Sequence, residues 1–340
     1  MRSLLLLALV TASAPARAGD WKLFLDEDGV KGYSRKIAGS DLLEVRSTIV
    51  VNAPIEVVGA VLRDVEGLKR PGTSCMEARF IEKKDRNHYT LYVAYDFPWP
   101  LSNRDSVVRV ENRYVVDKGR VIADLRGVRD RRVPPRKGFV RITKLRSQFV
   151  VEYISRHKTG VVYTSRVDPG GSIPDFLINR ANKSGLKDNA LDLRRAVKKP
   201  EYIRAAASSP DAALVKKVTG DPQQMKTIIE NRLREFIKDR ALVQTLVADR
   251  GVYGSLTRGA GKVGEILLHG WGSRRSKVQA VKVLLRRLLW GHSRDGKAIE
   301  RLVNDRRLIF RILFAGGGND EVQAFIARHG ASGATKEKGR

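Results

Sequence analysis

The chain has 340 residues, a net charge of +28 and a single cysteine, Cys75. That length suits two domains with sizeable cores, and one cysteine excludes an intrachain disulfide. The charge either draws the surface to polyanions, nucleic acid or anionic lipid, or serves solubility alone.

Residues 1–18 read as a secretory signal peptide: Met1-Arg2, an apolar run from Leu4 to Val10, and the small-x-small ending Ala16-Arg17-Ala18. The run is well short of the roughly 20 residues a membrane span needs. Cleavage after Ala18 would make the mature protein periplasmic or secreted. Nucleic acid is then the less available partner, and anionic head groups the natural one.

Residues 19–207 read as α+β. Lys31–Arg35 and Leu43–Val51 are expected to form a first strand pair. Ile55–Val65 follows as a helix with Val57, Val58, Val61 and Leu62 on one face. Alternating segments come next at 77–83, 88–95, 106–116, 121–128, 139–145, 148–155 and 161–167. Their hairpin-length connections make an antiparallel meander the economical topology. Alternation places Glu152 and Arg156 on one face and Phe149, Val151 and Tyr153 on the other, inward face. Likewise Thr164 and Arg166 face out, leaving Val161, Tyr163, Ser165 and Val167 inward. "DPGGSIP" (168–174) stops the last strand, and Asp175–Ala205 reads as one long helix. A curved sheet closed by such a helix encloses a ligand cavity wherever side chains leave the space unfilled.

From Ser208 the pattern becomes helical and basic, giving a domain over 208–330 and a disordered tail over 331–340. Val278, Val281, Leu285, Leu288 and Leu289 form a stripe opposite Arg275, Lys282 and Arg286. This suits a membrane-surface helix or an ordinary packed one. "LVADR" (246–250) and "LVNDR" (302–306) recur 56 residues apart, with His269-Gly270 and His329-Gly330 downstream, suggesting two related helical units.

No motif supplies catalysis. "GAGKVG" (259–264) has the glycine spacing of a dinucleotide loop but no strand before it. The five histidines lack metal-ligand spacing, there is no G-x-S-x-G elbow, and "DEDG" (26–29) suits a turn better than a calcium loop. Neither cofactor nor metal is expected.

One connection is unusual. "DFPWPLSNRD" (96–105) puts two prolines, Phe97 and Trp99 between two strands, where proline cannot join the ladder. Together with "WKLFLDEDGVKGYSRKIAGSDLLEVRS" (21–47) and "DPGGSIPDFLIN" (168–179), it resembles the START domain, the steroidogenic-acute-regulatory-related lipid-transfer family, over about residues 20–205. The resemblance implies a helix-grip fold, a curved antiparallel sheet around a long C-terminal helix enclosing a tunnel for one lipid. Here an all-α basic extension follows it. The resemblance also implies that Phe97 and Trp99 are lid residues at the tunnel mouth, and that Arg104 and Asp105 fix the loop to the next strand. Where sterol-binding relatives carry a buried acid and arginine, this chain carries Leu91 and Val110, which argues for a plainly apolar cavity. The candidate ligand contacts are then Leu91, Val93, Tyr95, Val108, Val110, Phe149, Val151, Tyr153 and Tyr163 on strands, Phe97 and Trp99 on the lid, and Phe176 and Leu177 on the closing helix.

The function so implied is non-catalytic binding and transfer of a phospholipid or other hydrophobic ligand. Docking on anionic membrane would accompany it, with a protein partner for the C-terminal helices. An enzyme of the wider superfamily would need a titratable group in the cavity, for which Tyr95, Tyr153 and Tyr163 are the candidates. A scaffold or nucleic-acid-binding role would work through the basic tail.

Overall fold

The computed structural model describes residues 19–69, 74–258, 266 and 271–330. The readings made for residues 1–18, 259–264, 269–270 and 331–340 lie outside the described residues. Ten strands come in the order β1 (Lys22–Glu27), β2 (Val30–Ile37), β3 (Ser40–Val51), β4 (Cys75–Lys83), β5 (His88–Tyr95), β6 (Asn103–Val115), β7 (Arg120–Gly127), β8 (Phe139–Ile142), β9 (Lys144–Ser155) and β10 (Lys158–Asp168). They form one curved sheet in the spatial order β1-β2-β3-β10-β9-β7-β6-β5-β4, antiparallel along that path.

Local chemistry accounts for the joints. Asp28 and Gly29 both have positive φ (51° and 69°) and form the two-residue turn between β1 and β2, the conformation a twisted hairpin needs. From β3 the chain crosses to the far edge of the sheet through α1 (Ile55–Leu62). Val57 and Val58 of α1 are buried with Val151 and Val161 of the sheet.

Three expectations are corrected. β1 belongs to the first sheet segment, which has three strands rather than two. The 139–145 segment is no meander strand: β8 lies parallel to β6, beside Asn103–Ser106. The long helix is also interrupted. α2 spans Asp175–Ala196, and α3 (Pro200–Ala207) begins afresh, because Pro200 lacks the N–H that continuation requires and holds Lys199 extended at φ −75°, ψ 133°.

The extension is helical throughout its described length: α4 (Pro210–Thr219), α5 (Pro222–Leu233), α6 (Arg240–Ala248), α7 (Arg250–Thr257), α8 (Arg274–His292), α9 (Gly296–Asn304), α10 (Arg306–Phe310) and α11 (Asn319–Gly330). The 56-residue repeat has a structural basis. Asp239 and Asp249 accept helix N-terminal amides from Leu242 and Val252, and Asp295 and Asp305, 56 positions on, do the same for Ala298 and Leu308. In each unit one aspartate ends a helix and starts the next. The α8 stripe is core: Val281, Leu284, Leu285, Leu288 and Leu289 are buried in the main cluster of the extension. That stripe is therefore not available to a membrane surface. Among the described residues, no helix is long and apolar enough to cross a membrane.

The extension also packs on the outer face of the sheet around β7 and β9. Glu152 of β9 is wholly buried there. It accepts from Arg120 of β7, from Arg232 of α5 at 2.7 Å and from the Trp271 indole at 2.9 Å. Arg120 also forks onto Glu235 at 2.5 and 2.6 Å, and Lys118 joins Glu235 at 3.0 Å.

Candidate functional site

Between the inner sheet face and the helices lies a cavity of about 530 Å3. Its floor is made by alternate residues of β5, β6, β7 and β9, including Leu91, Val110, Val121, Leu125, Phe149 and Val151. α1 and the C-terminal half of α2 form its sides. The remaining wall comes from the extension: Asp211, Leu214, Val215 and Val218 on α4, and Met225 and Ile228 on α5.

Most of this wall is hydrocarbon, but a charged cluster interrupts it. Asp211, in the first turn of α4, accepts from Arg63 at 2.7 Å and Arg86 at 2.9 Å through one oxygen, and from the Tyr114 hydroxyl at 2.6 Å through the other. Burial pushes the Tyr114 phenol up, and its hydrogen bond to Asp211 adds to the shift. Beside it Tyr202 donates to Asp64 at 2.5 Å. Glu56 also lines the cavity, with its Oε2 buried and without a hydrogen-bond partner. The expectation of a plainly apolar cavity is thereby corrected. Leu91 and Val110, buried diagonal neighbours, do leave that part of the floor uncharged. Charge returns from α1 and from the extension.

Of the residues expected to touch ligand, Leu91, Val110, Phe149, Val151 and Tyr153 line this cavity. Burial raises the Tyr153 phenol, helped by the nearby Glu56. Val93 and Val108 lie further along the same strands, packed with Val65, Ala78 and the half-buried Tyr95. Burial pushes the Tyr95 phenol up to about 12. Tyr163 stacks against Phe149 with centroids 4.6 Å apart and reaches the Ser147 hydroxyl at 3.4 Å. These side chains pack on the inner face between the cavity and the other end of the sheet.

At that other end stand Phe97, Trp99, Phe176 and Leu177. Arg104, almost fully buried, donates to Ser102 in its own loop and to the Pro169 and Gly170 carbonyls at 3.3 and 3.1 Å. Its guanidinium lies 4.7 Å from the Phe97 ring centroid. Asp105 takes Arg141 of β8 at 2.7 and 2.9 Å and the Tyr92 hydroxyl at 3.1 Å. The "RD" pair thus binds the 96–102 loop to the loop before α2 and to β8. The result is an exposed apolar rim: Trp99 is 92% exposed, Phe176 70%, and Leu177 and Leu101 are partly so. The rim and the cavity sit at opposite ends of the inner face, so the lid residues do not border the cavity directly.

Sequence reasoning missed Asp211 and the wall of α4 and α5. Asp211 is an ordinary first-turn aspartate by its local pattern, and its partners lie 97 to 148 residues away. Among the described residues no cluster of metal-ligating side chains occurs.

The class these features define is a helix-grip protein with an internal cavity. The START domain family profile matches residues 6–202, more than half of the chain, and the chain belongs to that family. An uncharacterised protein of Pseudomonas aeruginosa is 32% identical over 184 residues, covering 53% of this chain and 90% of its own. The phosphatidylcholine transfer protein of Mus musculus is 26% identical over 186 residues, covering 54% and 86%. A solved fragment of a STAR-related lipid transfer protein from Xanthomonas axonopodis is 28% identical, with a TM-score of 0.49, covering 53% of this chain and 99% of that one. The family match ends before α4, so the extension lies outside it.

Proposed function

We propose that this protein is a non-catalytic carrier that takes one lipid into the cavity and moves it between membranes as an exported protein. The observation that carries the reading is the cavity itself: about 530 Å3 under a curved sheet, walled mainly by hydrocarbon, in a chain of a family known for lipid transfer. Apolar burial supplies the affinity, at about 0.8 kcal/mol for each buried methylene. The exposed Trp99, Leu101, Phe176 and Leu177 rim would enter the interface, where aromatic side chains are at home. The net charge of +28 would hold the protein on anionic head groups.

The test is native mass spectrometry of residues 19–340 purified from a lipid-containing host, with a denatured sample alongside. A bound mass lost on denaturation supports the reading and names the lipid class. An apo mass that persists after incubation with mixed phospholipid vesicles counts against it.

One observation favours an enzyme as the second reading: Asp211 is a buried carboxylate on the cavity wall. We place it second because both Asp211 oxygens are already engaged by three donors, an arrangement suited to holding α4 in place. Conversion of a bound lipid to a product of altered mass would favour the enzyme.

A further inference from the structure

The cavity is not closed by the START segment alone. Seven of its lining residues belong to α4 and α5, beyond the family match at residue 202. Five of these, Leu214, Val215, Val218, Met225 and Ile228, are apolar. The two helices are not loosely draped. Asp211 pins the start of α4 to Arg63 beside α1 and to Arg86 and Tyr114 of the sheet region. Arg232 anchors the end of α5 through Glu152 and through the Tyr153 carbonyl at 2.5 Å. Between these two anchors the apolar side chains are held at a fixed distance from the cavity floor, with Ile228 and Met225 buried and Leu214 and Val218 half-buried.

We propose that α4 and α5 of the extension are the chain-length determinant of the lipid site: a rigid hydrocarbon wall against which the acyl termini abut. This rests on the lipid-carrier reading. Asp211 is engaged by Arg63, Arg86 and Tyr114, and the side chains that form the wall beyond it, Leu214, Val215, Val218, Met225 and Ile228, carry no charge. The wall stands at the end of the inner face away from the exposed apolar rim. Leu214, Val218, Met225 and Ile228 are specificity-determining residues on this reading. A methylene that the wall excludes forfeits about fourfold in affinity, the equivalent of about 0.8 kcal/mol.

The experiment uses the mature full chain, loaded from vesicles of equal phosphatidylglycerol and phosphatidylcholine, each supplied with saturated chains from lauroyl to stearoyl. Bound lipid is read by native mass spectrometry. Val218→Phe and Leu214→Phe should shift the bound population toward shorter chains, and Met225→Ala toward longer ones, with the head-group ratio unchanged. Opposite shifts from enlarging and reducing substitutions are an outcome that general destabilisation does not produce. Wild-type-like chain distributions in all three variants would overturn the proposal while leaving the carrier intact. So would a change of head-group preference at constant chain length. A wild-type chain that takes up no lipid would overturn both readings.

Discussion

Removing Glu152 should detach the extension energetically from the sheet. The carboxylate is wholly buried, and its partners Arg120 and Arg232 have side chains only 3% and 1% exposed. The network holds three cations, Lys118, Arg120 and Arg232, against two anions, Glu152 and Glu235. Glu152→Ala leaves Glu235 alone against all three, with Arg232 stripped of its only carboxylate among the contacts described. Breaking a buried pair in this way costs about 3–5 kcal/mol, a large share of the 5–15 kcal/mol that typically separates folded from unfolded chains. Glu152→Gln should cost somewhat less, about 2–3 kcal/mol, since the amide oxygen still accepts one donor. The double variant Glu152→Gln with Arg232→Met should recover at least about 1 kcal/mol of the sum of the single losses, because no unpaired guanidinium then remains on α5. Urea unfolding followed by tryptophan fluorescence is apt, as the Trp271 indole donates to Glu152. Losses below about 1 kcal/mol for Glu152→Ala, with no coupling in the cycle, would refute the claim that this network joins the two parts.

Three further outcomes are expected. Asp211→Ala should destabilise by about 2–3 kcal/mol, discounted from a fully buried pair because Arg86 is a third exposed, and should speed lipid exchange between vesicles; unchanged exchange would separate α4 from the cavity. Glu235 is held below its ordinary 4.5: burial opposes this, but Arg120 and Lys118 outweigh it. Its stabilisation is thus present above 4.5 and lost as pH falls through its lower folded value, so Glu235→Gln should flatten that part of the acid unfolding curve. Trp99→Ala with Phe176→Ala should slow transfer from anionic vesicles at unchanged stability, and added salt should weaken vesicle binding; equal rates would remove the rim from the docking surface.

Local pattern was enough for the inner sheet face. Phe149, Val151 and Tyr153 read as inward from alternation alone, and all three line the cavity. The same alternation sent Glu152 outward, correctly, but implied solvent there. Its burial depends on Arg232 and Trp271, 80 and 119 residues on, and no short-range signal reports them. Pro200 was visible in the sequence, yet the helical spacing on either side of it masked the break between α2 and α3. The lid residues were placed by resemblance at the mouth of the cavity. Instead the aromatic and valine packing around Val93, Tyr95 and Tyr163 stands between them and the cavity. How completely side chains fill an enclosed space is set by three-dimensional packing, which periodicity does not encode.

On the carrier reading, lipid occupies the space between the sheet, α2 and the extension. The most direct measurement is photocrosslinking with a phospholipid carrying a diazirine at its acyl terminus, mapped by peptide mass spectrometry on the mature chain. Adducts are expected on cavity residues, among them Leu91, Val110, Phe149, Val151 and Ile228. Adducts confined to Trp99, Phe176 and other exposed positions, or none at all, would contradict that reading.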